Sequence, residues 1–335
     1  MATTTHIKNI IKANKEQSLA IFIGAGISKS SETEEVQLPT WGALISDLKS
    51  ELADETETDY LKLAQLYYLE FGEHTYYKKL KGYFPNNLKP SSTHRLIFEI
   101  NPQVIITTNW DCLLEKAIED NGYLYETIAS DSDLVKSALR NKLLKMHGDF
   151  KSHNIVFKED DYLNYQTNFP LIENYIKSIL STHTVLFIGY SYNDLNLKQI
   201  SKWIQLQSNV RPPMYLTVYT DNKTQTKYLS NHGIATILLH EEDGKNNSYS
   251  ERMYRFLEKI KQGFELTSPS SDEEICEYFL TKLKTLNKLD AVLVEQVRDA
   301  IENCGFLFEP DARAILEFYT VPMSFNASTL SIEAN

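Results

Sequence analysis

Four short stretches of this chain carry residue types suited to chemistry, and each follows an apolar run. Residues 23–28 (IGAGIS) set Gly24, Ala25 and Gly26 ahead of Ser28. Glycines just past a strand allow a tight turn and let main-chain N–H groups approach pyrophosphate oxygens, so this is either a dinucleotide phosphate loop or a structural turn. Ser28 either bonds a phosphate or caps the loop. Lys29 stands where a dehydrogenase fingerprint has its third glycine, and no acidic residue ends a second strand at the usual offset. An ordinary dehydrogenase is disfavoured. Residues 107–111 (TTNWD) supply Asn109, whose amide both donates and accepts, and Asp111, either a working carboxylate or the N-cap of a following helix. Residues 145–150 (KMHGDF) supply His147, which exchanges a proton near neutral pH or simply bonds a neighbouring loop. Residues 187–194 (FIGYSYND) supply Gly189, Ser191 and Asp194, the last either a hydroxyl acceptor or a helix cap ahead of Leu195.

The elements that must position these groups read as a parallel sheet covered by helices. Runs at 19–23 (LAIFI), 104–108 (VIITT), 142–146 (KLLKM), 184–188 (TVLFI), 214–219 (MYLTVY) and 235–239 (ATILL) predict six strands buried on both faces. Alternation of such runs with amphipathic segments predicts an α/β fold, a Rossmann-like doubly wound parallel sheet with a helical insertion and C-terminal helices. In open α/β sheets ligands bind beyond the carboxyl ends of strands, and all four chemical stretches fall there. The domain reading is a catalytic unit over 1–264, with a helical subdomain at about 41–99 lying over that edge, and a C-terminal helical extension over 265–335. Residues 267–271 (TSPSS) read as a turn or linker, and Ser271 with Glu274 as a capping box. Tyr76 and Tyr77 read as packing residues, and His94 and His183 as packing at a helix start and a strand start.

Composition sets the class. Of 335 residues, 42% are hydrophobic and 24% charged, an ordinary globular balance. No apolar run reaches the roughly 18–20 residues needed to cross a bilayer, and the polar first 15 residues lack the core of a secretory signal. Neither membrane attachment nor export is expected. Three widely spaced cysteines, Cys112, Cys276 and Cys304, predict neither a disulfide framework nor a structural zinc site, and point to a reducing cytoplasm. The net charge of −11 disfavours direct nucleic-acid binding.

The order IGAGIS, TTNWD, KMHGDF and FIGYSYND, with residues 158–165 (KEDDYLNY) and 181–184 (STHT), resembles the sirtuin-like NAD-hydrolysing domains of bacterial anti-phage defence proteins, the defence-associated sirtuins. The resemblance spans residues 19–239. It implies an NAD glycohydrolase that releases nicotinamide and ADP-ribose without a metal, acting as an abortive-infection effector that depletes NAD when activated. In that frame His147 acts on a ribose hydroxyl or on water. Asn109 lies beside the nicotinamide ribose, and Asp111 bonds the nicotinamide carboxamide or favours the positively charged anomeric centre. Gly24, Ala25, Gly26 and Ser28 contact the nucleotide, as do Gly189 and Ser191 at a second turn, with Asp194 accepting from a ribose hydroxyl. A homo-oligomer, and a phage protein or other partner as activator, are the implied means of control.

Some residues depart from the wider sirtuin pattern. Nothing here supplies the four-cysteine zinc module of protein-deacylating sirtuins, and Pro39-Thr40-Trp41 stands where those have Pro-Asp-Phe-Arg. A protein deacylase, and a non-catalytic module sensing NAD or ADP-ribose, are the competing readings. A role beside a nucleic-acid-guided partner is a fourth.

Overall fold

The computed structural model describes residues 2–53, 56–85, 87–207, 211–239 and 248–265. The expected linker at 267–271, the Ser271/Glu274 capping box and the C-terminal extension lie outside them. The chain begins with helix α1 (Ala2–Lys15) and strand β1 (Leu19–Ile23), then leaves the sheet through a single helical turn, α2 (Ala25–Ser28). Helices α3 (Trp41–Ser50), α4 (Tyr60–Gly82) and α5 (Ser92–Ile100) precede β2 (Val104–Thr107). Then come α6 (Leu113–Asn121), β3 (Glu126–Ile128), α7 (Asp131–Lys136) and β4 (Lys142–Lys145). Helices α8 (Glu159–Leu163), α9 (Tyr165–Asn168) and α10 (Pro170–Thr182) lead into β5 (Thr184–Ile188). The described part finishes with α11 (Leu195–Gln207), β6 (Met214–Val218), α12 (Lys223–Asn231), β7 (Ile234–Leu238) and α13 (Tyr249–Glu265).

The strands form one parallel sheet in the order β3-β4-β2-β1-β5-β6-β7. From β1 the chain passes to β2, crosses to the edge strand β3 and comes back as β4 between them, then returns to β5 beside β1 and winds the other way, so β1 and β5 flank the switch point. This is the expected Rossmann-like α/β class. All six expected strands form, with ends moved by a residue at β2, β4, β6 and β7. A seventh, β3, was not anticipated: it has three residues, two of them Glu126 and Thr127, and lies at the edge, where only one ladder must be satisfied.

Strand periodicity explains the layers. Leu19, Ile21 and Ile23 face a core shared with Ile10 of α1, Leu96, Ile97 and Ile100 of α5, and Phe256, Leu257 and Ile260 of α13. Ala20 and Phe22 face the opposite core with Ile172, Ile176 and Ile179 of α10 and Leu197, Ile200 and Ile204 of α11. Successive side chains alternate between faces, and a strand covered on both sides must be apolar throughout. Phe22 and Phe187 are fully buried and in ring contact at 5.2 Å; burying each contributes about 1.5–3 kcal/mol.

A third core forms apart from the other two. Leu44, Ile45 and Leu48 of α3 and Leu63, Tyr67, Tyr76 and Leu80 of α4 pack with Trp110, Ile155 and Phe157. Because Trp110 follows β2 and Phe157 follows β4, this core fastens α3 and α4 to the loops at the carboxyl edge. Tyr76 is buried within it, and the Tyr77 hydroxyl donates to the His153 carbonyl at 2.9 Å, so both tyrosines serve packing.

Candidate active site

Four strand ends are level. Ile23 pairs with Thr107 on one side and Ile188 on the other, and Thr107 pairs with Lys145. Gly24 and Gly189 therefore leave the sheet together at the switch point. Asn109 and His147 each stand two residues beyond the Thr107–Lys145 pair, on adjacent strand tips. The bend after β2 is held by one hydroxyl: Thr107 Oγ1 donates to the Ile23 carbonyl at 3.0 Å and accepts the Asn109 N–H at 3.0 Å.

Asn109, Ser28 and Asp111 form a single hydrogen-bonded chain. Asn109 Nδ2 donates to Ser28 Oγ at 2.9 Å, and Ser28 Oγ donates to Asp111 Oδ2 at 2.7 Å. Ser28 and Asn109 are buried. Asp111 Oδ1 also accepts the Leu113 N–H at 3.1 Å at the start of α6, so its carboxylate serves the helix and the cluster together. Trp110 points the other way, against the rings of Trp41, Phe84 and Phe157, which keeps this side of the edge apolar.

His147 is buried, and its Nε2 lies 3.0 Å from Asp194 Oδ2, an ion-pair distance without hydrogen-bond alignment. Asp194 caps α11 by accepting the Leu197 N–H at 2.8 Å, and the Tyr162 hydroxyl reaches its Oδ2 at 3.4 Å. Burial works to raise the Asp194 carboxyl, but the His147 ring, the Leu197 N–H and the Tyr162 hydroxyl outweigh it and hold the group below its ordinary range. The carboxylate is ionised.

The glycines take a role different from an open cradle. Gly24 N–H donates to the Ile188 carbonyl at 3.0 Å, Gly26 N–H to the Gly189 carbonyl at 2.9 Å, and Ile27 N–H to the Gly24 carbonyl at 3.1 Å. A Cβ on Gly24 would lie 2.4 Å from the Gly189 carbonyl oxygen, and Gly189 itself has φ +60°. Glycine is needed here so that two turns can mesh, and the Gly26 and Ile27 N–H groups are already bonded within the protein. Ala25 is exposed at the surface of the turn. Ser191 is also exposed, and its hydroxyl accepts from Asn193 Nδ2 at 3.2 Å.

One ion pair, Lys145 with Glu115, went unremarked in the sequence. Lys145 is fully buried, with Nζ 2.5 Å from Glu115 Oε1 and donating to the Asp111 carbonyl at 2.9 Å. Burial acts to lower its pKa, and the Glu115 carboxylate more than offsets that, so the ammonium stays charged. A lysine inside an otherwise apolar strand run was the available signal, since such a group is buried only when paired. His94, expected to pack at a helix start, does so in the first turn of α5, where it is 1% exposed and forms a capping box with Ser91. Burial pushes its pKa down to about 4, with Asp111 pulling the other way, so it borders the Asp111 cluster. His183 sits just before β5, its Nε2 3.2 Å from Gln103 Oε1. Among the described residues no three of His, Cys, Asp and Glu are grouped to hold a metal ion.

A doubly wound parallel sheet whose carboxyl edge joins a glycine turn, an asparagine–serine–aspartate chain and a buried histidine defines a Rossmann-like α/β protein. Residues 103–237 match the family described as SIR2-like domain. The matched span contains Asn109, Asp111, His147, Gly189, Ser191 and Asp194, while Gly24, Ala25, Gly26 and Ser28 precede it. The chain is 31% identical over 301 residues to Defense-associated sirtuin 2 of Bacillus subtilis, covering 85% of this chain and 30% of that protein. It is 31% identical over 205 residues to NAD(+) hydrolase ThsA of Cytobacillus dafuensis (60% of this chain, 40% of that one). To the protein of the same name from Enterococcus faecium it is 31% identical over 220 residues (62% and 44%). The chain thus spans less than half the length of these relatives.

Proposed function

We propose that this chain hydrolyses NAD to nicotinamide and ADP-ribose, with His147 and Asn109 at the reacting ribose. One observation carries the reading: the β2–β4 register sets an amide and an imidazole on adjacent strand tips, with Ser28 bonded to the amide and linking it to Asp111. The names of the relatives, NAD(+) hydrolase and defence-associated sirtuin, support it.

The chemistry asks little of the protein. Nicotinamide is cationic in NAD and leaves neutral, so its nitrogen needs no proton, unlike the leaving oxygen in ordinary glycoside hydrolysis. As the bond to the anomeric carbon breaks, its electron pair goes to nicotinamide and positive charge develops on the ribose. A carboxylate nearby stabilises that charge, and Asp111 is the candidate. Asn109 holds a ribose hydroxyl and the incoming water through its two-sided amide. Water bonds to the anomeric carbon, His147 takes the proton it releases, and that proton passes to solvent. Gly24, Ala25, Gly26, Ser28, Gly189 and Ser191 line the edge where the rest of the dinucleotide would lie. Because Gly26 N–H is bonded to Gly189, phosphate contact at that turn falls to side chains and to the exposed Ala25 region.

An enzyme that drains NAD suits an abortive defence against phage, and must be held off until needed. Homo-oligomerisation, a partner protein or a phage protein acting as trigger would each do this, in a cytoplasmic setting. No helix among the described residues is long and apolar enough to cross a membrane. The test is nicotinamide release by the purified chain over a range of protein and NAD concentrations, with and without an acylated peptide. Release independent of peptide and abolished in both His147→Ala and Asn109→Ala is expected. Unchanged release in both variants would refute the site, and strict peptide dependence would favour deacylation.

A further inference from the structure

Asp194 is the junction between the histidine and a helix start. Its side chain is 6% exposed, and its two oxygens have separate tasks. Oδ1 accepts the Leu197 N–H and caps α11, whereas Oδ2 faces His147 Nε2 and the Tyr162 hydroxyl. The Tyr162 ring stands edge-on to the imidazole, 5.6 Å between centroids, and limits its rotation. Two acceptors 3.0 Å apart repel, so an ionised Oδ2 favours the ring form that carries its hydrogen on Nε2.

We propose that Asp194 is a positioning residue for His147, fixing the ring in the Nε2–H form so that Nδ1 is the nitrogen that accepts a proton. This deepens the hydrolase reading and rests on it for the reaction step. Water gives its oxygen to the anomeric carbon and its proton to Nδ1. Nε2 keeps its hydrogen, and the imidazolium so formed lies beside the Asp194 carboxylate, 3.0 Å from Oδ2. The proton then leaves Nδ1 for solvent. Asp194 touches no reacting atom in this scheme, and a ribose hydroxyl would have to displace Tyr162 or His147 to reach Oδ2.

The separate tasks of the two oxygens provide a clean variant. Asn caps helices as well as Asp does, so Asp194→Asn keeps an Oδ1 acceptor for Leu197. It also replaces Oδ2 with an NH2 donor, which favours a ring whose Nε2 is the acceptor and whose Nδ1 carries the hydrogen. The expected result is a fall in kcat of about 100-fold or more, the range of a lost general base, with KM little changed. Nitrogen-15 NMR of histidine-labelled protein without NAD, with the His147 signals assigned by their loss in His147→Gln, should show the proton moving from Nε2 to Nδ1. Tyr162→Phe should leave it on Nε2. Raised KM with unchanged kcat and an unchanged ring tautomer would overturn the proposal and make Asp194 a substrate contact. Absence of turnover in the wild type as well would refute the reaction assignment, whereas the tautomer, read without NAD, tests the positioning role separately.

Discussion

His94 should make the protein lose stability between pH 7 and pH 5 by an amount that can be isolated. The ring is 1% exposed, and its Nδ1 accepts from the Ser91 N–H at 3.3 Å and contacts Ser91 Oγ at 2.9 Å. Protonating Nδ1 would turn an acceptor into a donor and dissolve the capping box. Burial holds the folded pKa at about 4, against 6.5 as the ordinary value. Between those two values the unfolded chain binds a proton that the folded chain refuses, so stability falls as pH falls through this window and is fully present above it. Each pH unit inside it corresponds to about 1.4 kcal/mol, so moving from pH 7 to pH 5 costs about 2 kcal/mol from this one group. His94→Gln keeps a side chain that can complete the box at the third helical position while removing the titration. The assay is urea unfolding of both proteins at both pH values, with slopes compared to confirm that the unfolded states match. The wild type should lose about 2 kcal/mol more than the variant over this step. Parallel losses would refute the reasoning, because they would mean that the buried ring is protonated in the folded protein.

Two other perturbations test the supports of the site. Lys145→Met leaves Glu115 buried without its ion partner and the Asp111 carbonyl without its donor, and should cost about 3–5 kcal/mol, read as a lowered unfolding midpoint. Adding Glu115→Leu should recover most of that stability but not nicotinamide release, since the loop carrying Asn109 and Asp111 stays untethered; full recovery of release would show that Lys145 matters only through its charge. Gly24→Ala forces a methyl against the Gly189 carbonyl oxygen at 2.4 Å and Tyr190 Cα at 2.8 Å, both backbone atoms. It should cost about 1–3 kcal/mol and depress release, whereas Gly82→Ala, with nothing within 4 Å at the end of α4, should do neither. Equal melting temperatures for wild type and Gly24→Ala would show that the two turns do not mesh as described.

Much of the framework was legible in the amino-acid order. A strand buried on both faces must be apolar at every position, so β1, β2 and β5 announce themselves as LAIFI, VIIT and TVLFI. The groups with chemical capacity were also legible, because Asn109, His147 and the glycine turn directly follow such runs. Other elements left weak traces. Helix α1 looks polar on average, and only its Ile7, Ile10 and Ile11 spacing betrays the face that packs on the sheet core. β3 is too short and too polar to signal at all.

What tertiary structure alone decided is which group serves which. Asp194 meets His147 from 47 positions away, Lys145 meets Glu115 across 30, and Ser28 joins Asp111 across 83. A carboxylate reads the same in a sequence whether it caps a helix, pairs with an ammonium or steers an imidazole. Local pattern determines strands and helices because burial and backbone bonding repeat along the chain. Partnerships among polar side chains depend on where the sheet order and register bring distant strand ends, and at that edge a shift of one residue would turn each side chain to the opposite face.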